Sequence, residues 1–450
     1  MNPVKTLRLS KSRETMSERM DIFNVPSTDI SCEGKGTIVV SNKNPLTDNV
    51  VLFEFDVGGG MMTVPDGIEL EISGSIVKGD GGNLPAMPTD SWTDAATTKA
   101  KKDALQAADV YPVNQLLFGL FKYARVRVQD EYMNCNDFDI RAMLDTILKV
   151  RYGNDEKYLS QFYVLSYTDT NGKYSMIPTH PKFCKISGVL GTRISDSKSF
   201  QMRGKLPLDF CSIQKFMLSR VPISIELFFN SPSTYLMSSK ENADFKFKMT
   251  DCKLHVPYVK VSPTLELANA DLLKQHKEAL YPYVCSVLKK FTIPSGSHTF
   301  QAEDIFQGRV PMQTVICMVS SEDASMGYTH NPYNFRTFKL GEIKFKIDQV
   351  SIDMKMKFSN TGNEIVQPYM AFTNMFPHIE VSTSNFEAQT PFFVFDTRTN
   401  YDADKLPMVR KGFSSLEMKF DDPLEKNVTA YVFATFGRVM RVDEARRVTV

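Results

Sequence analysis

The sequence predicts an all-β chain built as a pair of sandwiches or jelly rolls, and three observations carry that prediction. First, apolar and polar residues alternate with a period of two over long stretches: Ile343, Phe345 and Ile347 fall on one side and Lys344, Lys346 and Asp348 on the other, the signature of a half-buried strand. Past Asp348-Gln349 the parity reverses, so that Val350, Ile352, Met354, Met356 and Phe358 form the apolar row. A turn or bulge must stand there, because a one-residue slip would send every apolar side chain to the wet face. Second, 450 residues that are 42% hydrophobic and 23% charged suffice for two domains or a fused pair, each with its own core. Third, tight Gly/Pro corners separate short strands while long loops are concentrated in a few places.

Residues 1–20 carry Lys5, Arg8, Lys11, Arg13 and Arg19 against Glu14 and Glu18, which makes them a basic, flexible arm. Residues 21–262 form the first β unit. Val51, Phe53, Phe55 and Val57 alternate with polar neighbours, Gly58-Gly59-Gly60 breaks the run, and Ile68, Leu70 and Ile72 resume it. An insertion near 78–112 holds the only tryptophan, Trp92; a loop of that length in a β domain is an exposed decoration or a functional element. Ala124, Val126 and Val128 face away from Arg125, Arg127 and Gln129, and a short helix follows over 137–150, with Asp137 placed to cap it. A second insertion near 151–181 is rich in tyrosine (152, 158, 163, 167 and 174), a residue suited to contacts.

Strands dominate again from 199 to 262: Ile223, Ile225, Leu227 and Phe229 make one row, and Phe245, Phe247 and Met249 another. Residues 263–282 read as a helical connector, with Ser262 or Thr264 as cap and Leu272, Leu273 and Leu280 facing inward. The second β unit occupies 283–450. Phe200-Gln201 and the residues after it resemble Phe300-Gln301 and its sequel, a local echo of duplication. Val428–Phe436 is apolar on both faces, as a central strand would be, and a basic tail with Arg438, Arg441, Arg446 and Arg447 closes the chain.

Composition argues against several functions. Lys and Arg number 53 against 52 Asp and Glu, a formal charge of +1, so no overall positive field holds a nucleic acid. The seven cysteines are scattered without a CxxC pair, and the six histidines stand alone without HExxH; free buried thiols, and no metal, are expected. No GxSxG elbow or phosphate loop occurs. No enzyme, catalytic residue or cofactor is therefore expected. The N-terminus lacks the apolar core of a signal peptide, and no run of about 18 apolar residues suggests a membrane span.

Specific motifs then point further. FQGRVPMQTVICMVSSEDASMGYTHNPYNF (Phe306 to Phe335) resembles the second jelly roll of the double jelly-roll major capsid proteins of Polinton/Maverick elements and adintoviruses, where an FxGxxP run, an apolar strand and an NPFNF-like corner follow one another. VNQLLFGLFKYARVRV (Val113 to Val128), FQMRGKLPLDFCSIQKFMLSRVPISIEL (Phe200 to Leu227) and TPFFVFD (Thr390 to Asp396) extend the likeness over most of the chain. Two departures stand out: Tyr333 replaces an aromatic of the corner, and Asp348-Gln349-Val350-Ser351 replaces a Gly/Pro turn.

The resemblance implies two consecutive eight-stranded jelly rolls with short helices and long inserted loops. It implies a major capsid protein that self-assembles as pseudo-hexameric homotrimers tiling an icosahedral shell of a DNA virus, so that the chain resides in the virion. Implied partners are further copies of itself, a penton or minor capsid protein and, weakly, the genome through the arm. The side chains expected at interfaces are Lys5, Arg8, Lys11 and Arg13 of the arm, Trp92, Tyr158, Tyr163 and Tyr167 of the loops, and Asn331, Tyr333 and Phe335 of the corner. The competing reading is a domesticated or lectin-like β-sandwich binding protein with no capsid role.

Overall fold

In the computed structural model, residues 30–46, 49–85, 110–149, 158–163, 194–238, 240–325, 327–357, 364–379, 381–383, 386–387, 391–399 and 408–450 are described. Sixteen strands build two rolls. The first comprises β1 (Cys32–Ser41), β2 (Val50–Phe55), β3 (Glu69–Lys78), β4 (Phe121–Val128), β5 (Glu131–Cys135), β6 (Phe200–Lys205), β7 (Ile223–Phe229) and β8 (Phe245–Val261). The second comprises β9 (Ala279–Ile293), β10 (Thr299–Ala302), β11 (Gln313–Ser320), β12 (Leu340–Ile347), β13 (Val350–Lys355), β14 (Phe393–Asp396), β15 (Ser414–Phe420) and β16 (Val428–Val442).

Sheet order is identical in the two rolls. The first has β1-β8-β3-β6 facing β2-β7-β4-β5; the second has β9-β16-β11-β14 facing β10-β15-β12-β13. Neighbours are antiparallel throughout, and this double Greek-key order is that of a jelly roll. The chain is therefore two eight-stranded jelly rolls in succession. Helix α1 (Phe138–Lys149) lies in the β5–β6 connection, α2 (Pro263–Lys274) joins the rolls, and α3 (Val366–Met375) lies in the β13–β14 connection.

Local chemistry explains the strands. Ile343, Phe345 and Ile347 of β12 are buried, Ile347 pairs with Val350 across the two-residue turn Asp348-Gln349, and Asp348 takes a left-handed φ of 51°. That turn is where the parity reverses, and a short polar residue tolerates its backbone. On β8, Phe245, Phe247 and Met249 pack inward until a register shift between Met249 and Asp251 hands the inward face to Cys252, Leu254 and Val256. Gly74 faces this irregularity; a Cβ there would stand 2.5 Å from the Lys248 carbonyl oxygen, so only glycine lets the strands approach.

Three expectations are corrected. Of the leucines expected to face inward around the connector, only Leu273 is buried; Leu272 and Leu280 are exposed, and Leu280 belongs to strand β9. The helix is covered along one row alone, because it crosses an end of the rolls instead of entering a core. The connector is capped as expected by Ser262, whose Oγ accepts from Leu265 N at 3.4 Å. Asp137 does not act as a simple cap of α1: it has φ 50° and its carboxylate accepts from Lys290 Nζ at 2.7 Å. Finally, Phe200 lies on the sixth strand of its roll and Phe300 on the second strand of the other, so that echo is no structural repeat. The repetition resides in strand order.

The cores divide by parity. Ile316 and Met318 of β11, with Ala430, Val432 and Ala434 of β16, fill the interior of the second roll. Val315, Cys317 and Val319, with Tyr431 and Phe433, belong instead to a cluster continuous with the first roll. Strands dry on both faces read as unbroken apolar runs, which is why Val428–Phe436 shows no alternation.

Candidate assembly surfaces and the seam between the rolls

Helix α1 has ten buried residues, including Asp139 and Arg141, so it is covered all round instead of presenting a polar face. Arg141 donates to Asp209 at 2.7 Å, and the Asp209 carboxylate also accepts from Ser286 N of β9 at 3.1 Å. Asp139 accepts from Asn230 Nδ2 at 3.0 Å, and burial pushes its carboxyl up to about 6.

Further bonds cross the seam along its length. Tyr281 OH accepts from Leu218 N at 3.1 Å, and Ser212 Oγ both accepts from Val284 N and donates to Val284 O at 3.0 Å. Lys290 pairs with Asp137, His378 Nε2 donates to Leu148 O at 2.8 Å, Ser238 N donates to Tyr328 O at 2.7 Å, and Tyr328 OH donates to Phe245 O at 3.2 Å. Apolar packing framed by these bonds makes the two rolls one block.

These bonds also set which ends coincide. The β7–β8 connection of the first roll meets the β11–β12 connection of the second through Ser238 and Tyr328, and α1 meets the β13–β14 connection through Leu148 and His378. In both rolls the β3–β4 and β11–β12 connections, and the β5–β6 and β13–β14 connections, therefore leave from one common end. The insertions expected near 78–112 and 151–181 depart from this end, at Lys78 of β3 and after α1. The opposite end gathers the start of β1, helix α2 and the end of β16: Ser262 N donates to Ser31 O at 3.0 Å, Gly60 N to Glu266 Oε1 at 2.9 Å, and Ala279 pairs with Val442.

Of the residues expected at interfaces, Lys5, Arg8, Lys11, Arg13, Trp92 and Tyr167 lie outside the described residues. Tyr158 is half-buried and Tyr163 buried, their rings edge to face at 5.9 Å, and burial pushes the Tyr163 phenol up. Asn331, Tyr333 and Phe335 are all buried. Asn331 Oδ1 accepts from Tyr333 N at 3.1 Å, and the Phe335 ring meets Phe392 at 5.2 Å. Within this chain the corner packs into the seam cluster.

Sequence reasoning missed Asp139, Arg141 and Asp209; the available signal was two charges set inside the apolar spacing of α1. It also missed an aromatic and arginine cluster outside the first roll. Arg125 is bonded to Glu226 and lies 5.5 Å from the Tyr132 ring and 5.7 Å from that of Phe228, which meets Tyr123 at 5.1 Å. Arg, Tyr and Phe are the residues that anchor protein interfaces. On the other outer face of the same roll, β1-β8-β3-β6, Glu71 accepts from Gln201 at 2.8 Å and lies 2.9 Å from His255, while Arg203 donates to Glu69 at 2.8 Å.

Of the six described cysteines, Cys135, Cys252 and Cys317 are buried, Cys211 and Cys285 half-buried and Cys32 exposed. Among the described residues no group of three or more His, Cys, Asp or Glu could hold a metal ion, and no helix is long and apolar enough to cross a membrane.

No family model matches the chain. It is 21% identical to the uncharacterized protein F54H12.2 of Caenorhabditis elegans over 364 residues, 77% of this chain and 82% of that protein. Its structure is similar to a chain of the Sputnik virophage at a TM-score of 0.61 and 8% identity, covering 100% of this chain and 94% of that one. It is also similar to the mavirus major capsid protein (TM-score 0.53, 11% identity, 99% and 95% covered) and to the PBCV-1 virus capsid (0.55, 8%, 95% and 99%). Correspondence over nearly the full length of both chains at such low identity is a likeness of fold, and the fold is the double jelly roll.

Proposed function

We propose that this chain is a major capsid protein that associates as a homotrimer, a pseudo-hexameric capsomer tiling an icosahedral shell. The observation that carries the reading is the end-to-end match of both rolls, with no roll left over on either side, to chains of the Sputnik, mavirus and PBCV-1 particles. A shell needs stiff blocks with fixed flanks, and the bonded seam supplies stiffness. A relative in an animal and the likeness to the mavirus protein support the finer assignment to the Polinton/Maverick and adintovirus type. On this reading the chain resides in the virion, meets a penton or minor capsid protein, and uses Lys5, Arg8, Lys11 and Arg13 for a neighbour or weakly for the genome.

A second reading, a domesticated binding protein, is favoured by one observation: the sequence relative belongs to a nematode. One experiment separates the two. The full chain, purified and measured by light scattering on a sizing column, is expected at three times the 51.0 kDa chain mass, with shells or hexagonal capsomers in electron micrographs. A monomer at every concentration tried would overturn the capsid reading.

A further inference from the structure

Asp139 stands where the two rolls meet, and the charges around it are balanced without it. Asp137, just before α1, pairs with Lys290 of β9 at 2.7 Å, and Arg141 pairs with Asp209 of the β6–β7 connection at 2.7 Å. Each cation thus already has its carboxylate. Cys135 of β5, Tyr333 of the β11–β12 connection and Tyr431 of β16 also face this cluster, and burial raises all three above their ordinary values, so they are uncharged at neutral pH. An ionised Asp139, 2% exposed, is therefore one negative charge too many in the seam.

Its polar contacts do not make up the difference. Asn230 Nδ2, from the β7–β8 connection, donates to Asp139 at 3.0 Å, and Ile140 N of its own helix also donates to it. Two neutral donors replace water poorly around a full charge. The second roll closes the site from the other side, bringing the Tyr333 hydroxyl within 3.9 Å of where a Cβ on Gly119 would stand, while Asn230 Nδ2 lies 3.5 Å from the Gly119 carbonyl oxygen. Tyr431 OH and Arg141 Nε, both buried, have no hydrogen-bond partner among the described residues, so water admitted between the rolls satisfies groups that the closed seam leaves bare.

We propose that Asp139 is a proton switch on the seam: protonated, it lets the rolls stay shut, and ionised, it makes their transient parting more frequent while each roll remains folded. Parting brings water to the carboxylate, and that is what couples the proton to the movement. Burial raises Asp139 from its ordinary 3.8 to about 6, so the seam stability it contributes is fully present below about 4 and is lost as pH rises through 6, with parting favoured on the order of 100-fold over the whole window. The inference goes beyond the capsid reading and stands apart from it, since every group belongs to one chain. In a shell, the block would be stiffest in mildly acidic solution.

Hydrogen exchange of the full chain, read by mass spectrometry at about pH 4.5 and about pH 7.5 and corrected for the intrinsic pH dependence of exchange, tests it. The amides of Leu218, Ser238 and Ser286 bond across the seam, so their protection reports parting. Amides of β7 and β12, each central in its sheet, report unfolding of either roll. At the higher pH the wild type is expected to lose cross-seam protection by more than about tenfold, while β7 and β12 keep theirs. D139N is expected to show equal cross-seam protection at both pH values. D137N, which leaves Lys290 to balance Asp139, is expected to keep the seam shut to higher pH. Unchanged cross-seam protection in the wild type, or a loss that persists in D139N, would overturn the proposal. Should D139N not fold, a D137N seam that parts at the same pH as wild type overturns it instead. The mass of the wild type in solution has no bearing on this result, so the switch and the capsid reading fail separately.

Discussion

Asp209 binds Arg141 at 2.7 Å inside the seam while accepting from the backbone of the second roll at Ser286. One carboxylate thus neutralises a buried cation and fastens two domains. Both side chains are nearly inaccessible, at 6% and 11%, so solvent screens the pair little. Asp209→Ala leaves Arg141 charged, buried and uncompensated, and is expected to cost about 3–5 kcal/mol. Asp209→Asn, which keeps an acceptor, should cost less. Urea unfolding measures both, and a loss under about 1 kcal/mol for the alanine variant would contradict the role given to the pair.

Asp139 predicts a pH dependence of opposite sense to that of most carboxylates. Its pKa is raised by burial to about 6, so between about 4, where the unfolded group titrates, and 6 the folded state holds a proton that the unfolded state lacks. Stability from this group is fully present below that window and is lost as pH rises through it, by about 3 kcal/mol. Asp139→Asn should therefore flatten the curve, and the difference between variant and wild type in urea midpoints from pH 4 to 7.5 isolates the effect. A parallel pair of curves would refute it.

Tyr431 is buried at the seam, its hydroxyl has no protein partner among the described residues, and Lys290 Nζ lies 5.7 Å from its ring. Removing the hydroxyl spares its desolvation, so Tyr431→Phe is expected to stabilise by about 1 kcal/mol. Tyr431→Ala, which opens a cavity between the rolls, should cost about 3–5 kcal/mol. Thermal melts of the two variants should move in opposite directions.

Thiol labelling reads the cores separately. Burial pushes Cys135 up to about 12 and Cys317 well above its ordinary value, whereas Cys32 is exposed. A thiol-specific reagent under native conditions should modify Cys32 quickly and Cys135, Cys252 and Cys317 only on unfolding. Mass spectrometry of digests identifies the sites; native labelling of Cys317, which lies in the seam cluster, would mean that the rolls part readily.

The parity of Ile343, Phe345 and Ile347, its reversal at Asp348-Gln349 and the two dry faces of Val428–Phe436 were all legible, because each follows from the two-residue period of a strand. Asn331, Tyr333 and Phe335 show the limit. Their clustering was visible, but a motif does not state whether its cover comes from the same chain; here it does, with Tyr333 and Phe335 in the cluster shared by both rolls and Phe335 against Phe392. Leu272 and Leu280 fail in the other direction, apolar residues exposed at an end of the rolls.

By itself, then, the amino-acid order determined that the chain is built of strands and, for rows such as Ile343 to Ile347, where the parity turns and which side is dry, since alternation is a local property of the backbone. Only tertiary structure decided that the long connections share one end, that α1 is sealed between rolls, and which apolar rows remain uncovered. Those outcomes depend on contacts between residues far apart in sequence, such as Arg141 with Asp209 or Leu148 with His378, for which periodicity carries no signal.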